Sequence, residues 1–132
     1  MARRTFGAFA FATVGIFALA GQTAAAAPGD DAELFRKNCQ TCHSLVDDGK
    51  QRVGPTLHLV IGRKAGKIAG FPYSQALKDA DFAWTPEALD AWLTNPQSYL
   101  PGTYMMYRQN DSAVRAAIIR YLQDASASPP SQ

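Results

Sequence analysis

Cys39-Gln40-Thr41-Cys42-His43 is the stretch on which the reading of this sequence turns. It holds both cysteines of the chain and one of its two histidines. Two thiols about one helical turn apart can each add to a vinyl group of one porphyrin, and the next residue can then offer its imidazole to the iron. C-x-x-C-H is therefore the pattern of covalent haem c attachment. Other chemistries compete for the same residues. A thioredoxin-like C-x-x-C calls for βαβ surroundings, which the flanking sequence lacks. A zinc site would have to combine Cys39, Cys42, His43 and His58, and adjacent ligands at Cys42 and His43 suit a tetrahedron poorly. A plain disulfide would leave the loop-rich stretch that follows without a reason.

Upstream, Asp30 to Asn38 carries acids at its start and bases at its end, as a helix dipole favours, so a first helix runs into the cysteines. Downstream, Gly49, Gly54, Pro55, Gly62, Gly66 and Gly70 interrupt every candidate period between Ser44 and Phe71, which predicts a long loop. A structureless loop of that length is more plausible if it wraps something that is not protein. Tyr73 to Ala80 predicts a short helix. Thr85 and Pro86 open another over Glu87 to Thr94, and Asn95-Pro96 stops it. Tyr99 to Asn110 reads as loop. Asp111 to Asp124 is the best helix, with Val114, Ala117, Ile118, Tyr121 and Leu122 at three-four spacing. No window of adequate length alternates like a strand, so the fold class is all-α, with about four to five helices.

Met1-Ala2-Arg3-Arg4, the uncharged apolar run Phe6 to Ala20 and the small residues Ala24-Ala25-Ala26 read as a secretory signal peptide over 1–26, cleaved near Ala26 or Ala27. The apolar run is shorter than the roughly 20 residues a membrane span needs, so no stable membrane insertion is expected after cleavage. Residues 27–124 then form one domain, and the Pro/Ser/Ala-rich 125–132 a flexible tail. The full chain has 13 basic and 11 acidic residues; losing Arg3 and Arg4 leaves 11 of each. A near-neutral mature chain argues against nucleic acid as a partner.

A second axial ligand would come from His58, Met105 or Met106, or the position is open. Met105 follows the Pro101-Gly102 turn in a loop, where a flexible, soft thioether can reach a metal. At this point the motifs add up to a family. Cys39 to His43, Gly54-Pro55-Thr56-Leu57 with Gly62-Arg63, Gly70-Phe71-Pro72-Tyr73, Trp84, Asn95-Pro96 and Pro101-Gly102-Thr103-Tyr104-Met105 occur in an order and spacing that resembles class I cytochrome c, in particular the mitochondrial and bacterial cytochrome c2 group.

That resemblance implies a small fold of helices and long loops around one haem c, held through Cys39 and Cys42. It implies His43 and Met105 as axial ligands, His58 as a structural loop residue, and Met106 as a core residue after the ligand. The Pro55 carbonyl would accept the His43 ring N–H, Arg63, Tyr73 and Trp84 would surround a buried haem propionate, and Thr103 would bond near the methionine side. Phe35 and Tyr121 would lock the first and last helices. Two departures stand out. Trp92 occupies the place of a tyrosine that donates to the methionine sulfur, and an indole N–H can donate but not accept. Leu77 replaces an asparagine frequent in the mitochondrial branch, removing a polar group beside the haem.

The function so implied is a periplasmic, monomeric single-electron carrier rather than an enzyme. Its partners would be redox proteins: a membrane cytochrome complex, oxidase, reductase or dehydrogenase. The lysine ring by which many relatives dock is mostly missing, with Asn38, Gln97 and Tyr104 at matching positions and Lys37, Lys50, Arg52 and Arg108 left as candidate docking charges. Steering scales with charge asymmetry, so partner reduction rates should change by less than about tenfold between low and moderate salt in stopped-flow measurements.

Overall fold

The computed structural model describes residues 28–128. The expected signal segment and the end of the expected tail lie outside the described residues. Five helices follow one another: α1 Pro28–Cys39, α2 Gln75–Asp79, α3 Pro86–Thr94, α4 Pro96–Tyr99 and α5 Ser112–Ala127. Among the described residues the only pairing of extended backbone is an isolated antiparallel bridge between Lys64 and Ala83, in keeping with the all-α expectation.

Local sequence sets the helix limits. Asp30 and Asp31 occupy the first turn of α1 and Arg36 and Lys37 its last, each on the side of the dipole that favours it. The Thr85 hydroxyl accepts from the Ala88 amide at 3.1 Å and Pro86 follows at the first helical position, so α3 starts with one orphan donor satisfied and one absent. The Asp111 carboxylate accepts from Ala113 and Val114 at the head of α5. Asn95 ends α3, as its sequence predicts, and then caps again: its side chain accepts from the Ser98 amide and opens the four-residue α4, whose last residue, Tyr99, is where the sequence predicts a loop to begin. At the other end α5 continues to Ala127, past the expected limit at Asp124.

The core forms where α5 packs on α1 and on α3. On α1 the buried residues are Asp31, Phe35 and Cys39, a stripe at four-residue spacing that keeps one face towards α5. The Phe35 and Tyr121 rings meet at 5.1 Å between centroids, as expected of this pair. Beside them Asp31 receives both Nε and Nη2 of Arg120, at 3.0 and 2.9 Å, so its buried carboxylate is matched by a two-pronged donor. Helix α5 contributes Ala117, Ile118, Ile119 and Leu122, and α3 contributes Leu89, Trp92 and Leu93.

From Gln40 to Ser74 the chain has no helix. It is pinned instead by backbone bonds to the segment before α3: Gly62 N to Trp84 O, Trp84 N to Arg63 O, and Ala65 N to Phe82 O, each 2.9 Å. Gly66 shows how tight this crossing is. With φ +66°, it lies where a β-carbon would come within 2.0 Å of the Leu77 carbonyl oxygen.

Phe35 is 2% exposed at the centre of the α1–α5 contact. Truncation to alanine should therefore cost about 3–5 kcal/mol in denaturant unfolding of the holoprotein.

Candidate haem site

Cys39 is the last residue of α1, and the chain continues in the same sense: the amides of Cys42 and His43 both reach the Cys39 carbonyl, at 3.1 and 2.9 Å. The first thiol thus belongs to the helix–helix core, and the second thiol and the imidazole follow on a turn that the core holds. Gly54 N bonds Cys42 O at 2.9 Å and Leu57 N bonds Ser44 O at 2.7 Å, which folds residues 54–57 over the histidine.

The His43 Nδ1 lies 2.7 Å from the Pro55 carbonyl oxygen. A carbonyl only accepts, so Nδ1 carries the proton and Nε2 keeps its lone pair for a metal. Burial pulls the His43 pKa below the usual histidine value, partly opposed by the Pro55 bond, and so favours the neutral, ligating form. Gly54 makes room for the ring: a β-carbon there would stand 2.3 Å from Cε1 and 2.7 Å from Nε2 of His43.

Cys39, Cys42 and His43 open onto a cavity of about 730 Å³ that is lined by every residue expected at the site: Pro55, Arg63, Tyr73, Trp84, Trp92, Thr103 and Met105 join those three. That volume is of cofactor size. His58 is not on the cavity wall; its ring bonds the Leu45 carbonyl at 3.2 Å and its amide the Thr56 hydroxyl. The remaining wall is largely apolar, with Leu57, Val60, Leu77, Leu93, Ile118 and Leu122 among its residues.

The methionine side is built differently. The Trp92 indole Nε1 donates to the Met105 sulfur at 3.0 Å, so the residue that replaces the expected tyrosine keeps its donor function. Trp92 in turn meets Trp84 edge-on, with centroids 5.1 Å apart. Arg63 spends its guanidinium on the carbonyls of His58 and Thr56, at 2.5 and 2.8 Å, and burial lowers its pKa, opposed by Tyr73 and Asp47. The Thr103 hydroxyl is buried, lines the cavity and has no hydrogen-bond partner among the described residues. Such an orphan fits a site whose remaining hydrogen-bonding group belongs to a bound cofactor.

Met106 corrects one expectation. It is 68% exposed rather than part of the core, and its sulfur lies 3.3 Å from Nε2 of Gln97. Gln97 itself was legible only as a missing docking lysine; a polar residue in a one-turn helix gives no local sign of where its amide will reach. The candidate docking charges are also less free than their number suggests, since Lys50 and Arg52 both approach Asp48, at 3.8 and 3.1 Å.

Two thiols on a helical turn, an imidazole presenting Nε2 and a cofactor-sized apolar cavity inside a helical shell define a small haem c protein. Comparison with known proteins agrees. The family model for cytochrome c matches residues 30–126. Cytochrome c type-1 of Ascaris suum is 41% identical over 98 residues, covering 74% of this chain and 87% of the relative. Cytochrome c2 of Blastochloris viridis is 36% identical over 116 residues, 86% and 91% of the two chains. Cytochrome c2 of Rhodopila globiformis is 41% identical over 102 residues, 74% and 95%. The chain belongs to the cytochrome c family, within the class I group that includes the cytochromes c2 and the mitochondrial type. It carries one haem c, attached through Cys39 and Cys42, and serves as an electron carrier.

Gly54→Ala should push the His43 ring off its Pro55 bond. The ferric absorption spectrum is then expected to gain high-spin character while both thioether links remain.

Proposed function

We propose that this cytochrome is a periplasmic single-electron carrier in which His43 and Met105 are the axial ligands and no substrate is transformed. The observation that carries this reading is the Met105 sulfur, which reaches the same cavity as His43 and is already fastened by the Trp92 N–H at 3.0 Å. When bound, the haem supplies a one-electron Fe(III)/Fe(II) couple, and His/Met ligation favours a comparatively high potential.

The protein's own part is to hold and to exclude. Pro55 orients the imidazole and raises its basicity through the Nδ1 bond. Trp92 engages one side of the thioether and, having no lone pair to offer, enforces a single direction of hydrogen bonding at the sulfur. Arg63, Tyr73 and Trp84 face the same cavity and would surround a haem propionate, whose burial without partners would be costly, while Thr103 lines it near the methionine side. Leu77 adds apolar wall where a polar group is frequent in the mitochondrial branch.

Burial, with the neighbouring Cys42, pushes the free Cys39 thiol up to about 12, which disfavours its thiolate until the thioether is formed. Residues 1–26 support export as the signal described above, and similarity to bacterial cytochromes c2 points the same way. Among the described residues no helix is long and apolar enough to cross a membrane. The partners proposed are a membrane cytochrome complex or dehydrogenase on the donor side and an oxidase or reductase on the acceptor side, met by a monomer.

In the ferric protein a far-red sulfur-to-iron band should be present and should vanish in Met105→Ala. Native high-spin iron would overturn the carrier reading in favour of a haem protein with an open sixth site.

A further inference from the structure

Helix α4 and the loop that carries Met105 are joined by one side chain. The Gln97 Nε2 lies 2.7 Å from the Thr103 carbonyl oxygen, 3.3 Å from the Met105 carbonyl oxygen and 3.3 Å from the Met106 sulfur. A primary amide has two protons, and a carbonyl is a better acceptor than a thioether, so the two carbonyls take them first. Those carbonyls flank Tyr104 and include that of the methionine itself.

The loop's other side-chain ties include the Trp92 indole to the Met105 sulfur and the Tyr107 hydroxyl to Asn38 Oδ1, both at 3.0 Å. Its backbone is fixed where the Thr103 amide donates to Leu100 O at 3.3 Å, and again where the Gln109 amide donates to Leu93 O at 2.8 Å. Among the described residues no backbone–backbone bond is made from 104 to 108. Along this stretch exposure alternates: Tyr104 is 73% and Met106 68% exposed, while Met105 and Tyr107 pack against the core. The base of the clamp is firm, by contrast. Pro96 is buried, Asn95 caps the Ser98 amide, and Leu100 N returns to Pro96 O at 2.9 Å, so the Gln97 backbone sits in a closed turn.

We propose that Gln97 is the positioning residue for Met105, its amide binding the loop carbonyls so that the sulfur stays at the sixth position against competing ligands. This rests on Met105 being the axial ligand. Trp92 holds the side chain by its sulfur; Gln97 holds the backbone that carries it. The two restraints differ in what can replace them. Alanine at 97 removes both loop bonds. Glutamate sets a carboxylate against two carbonyl oxygens, so acceptor faces acceptor. Lysine restores donors, with three protons on a longer stem.

The test is titration of the ferric holoprotein with imidazole, followed by loss of the sulfur-to-iron band. Gln97→Ala should bind imidazole about tenfold more tightly than wild type, the scale set by one or two lost hydrogen bonds. Gln97→Glu should bind it more tightly still, and Gln97→Lys should return part of the way. Ser98→Ala, exposed on the same turn, should match wild type. A purely structural role would lower the thermal midpoint without ordering the imidazole affinities in this way. Equal affinities in wild type, Gln97→Ala and Gln97→Lys, with the band intact, overturn the clamp and leave Met105 ligation standing. A wild-type ferric spectrum lacking the band would instead overturn the ligation on which the clamp depends.

Discussion

The buried stripe of Asp31, Phe35 and Cys39 against α5 is the contact on which the rest of this cytochrome depends. It places a haem-bearing thiol inside the helix–helix core, so the attachment point is fixed by the packing that stabilises the fold. Phe35 supplies the apolar area and Tyr121 its partner ring. Asp31 could have been a liability, since a buried carboxylate loses its hydration, but Arg120 offers two parallel donors across the helix pair. From Cys39 the turn to His43 follows by backbone bonding alone, and Pro55 completes the histidine's orientation from the far side of the loop.

The two sides of the cavity are held by different means. On the histidine side the protein uses sequence-local geometry, a helix end and a turn. On the methionine side a loop with sparse backbone bonding is restrained by donors projected from helices: the Trp92 indole from α3 and the Gln97 amide from α4. The aromatic ring set extends this support, since Trp92 also meets Tyr99, and Tyr99 meets Phe82, in edge-on pairs. On the proposed ligation, a methionine held in place before the electron arrives needs little rearrangement when it does, which suits a carrier.

Sequence legibility followed the same division. Helix limits at Thr85, Asn95 and Asp111 could be read because capping is decided within a few residues. The cysteines, His43 and the resemblance carried by Gly54-Pro55, Trp84 and Pro101 to Met105 led to the residues that line the cavity. What could not be read was direction. Met106 stands next to a residue that turns inward, and nothing local says which of two adjacent methionines does so; the loop's tertiary path turned the second to solvent. Helix α4 is shorter than any periodicity can reveal. Gln97 looked like a surface residue defined by the lysine it was not.

The sequence by itself determined the covalent chemistry, the helical class and the loop-rich wrapping, because thiol spacing, caps and glycines act over short stretches of chain. Tertiary structure alone decided that the Trp92 N–H meets the Met105 sulfur, that Gly54 clears the His43 ring and that Gln97 reaches across to the Met105 loop. Each of those contacts joins separate turns or loops of the chain at atomic distances, and such distances are set by how the helices and loops pack on one another, not by the residues on either side.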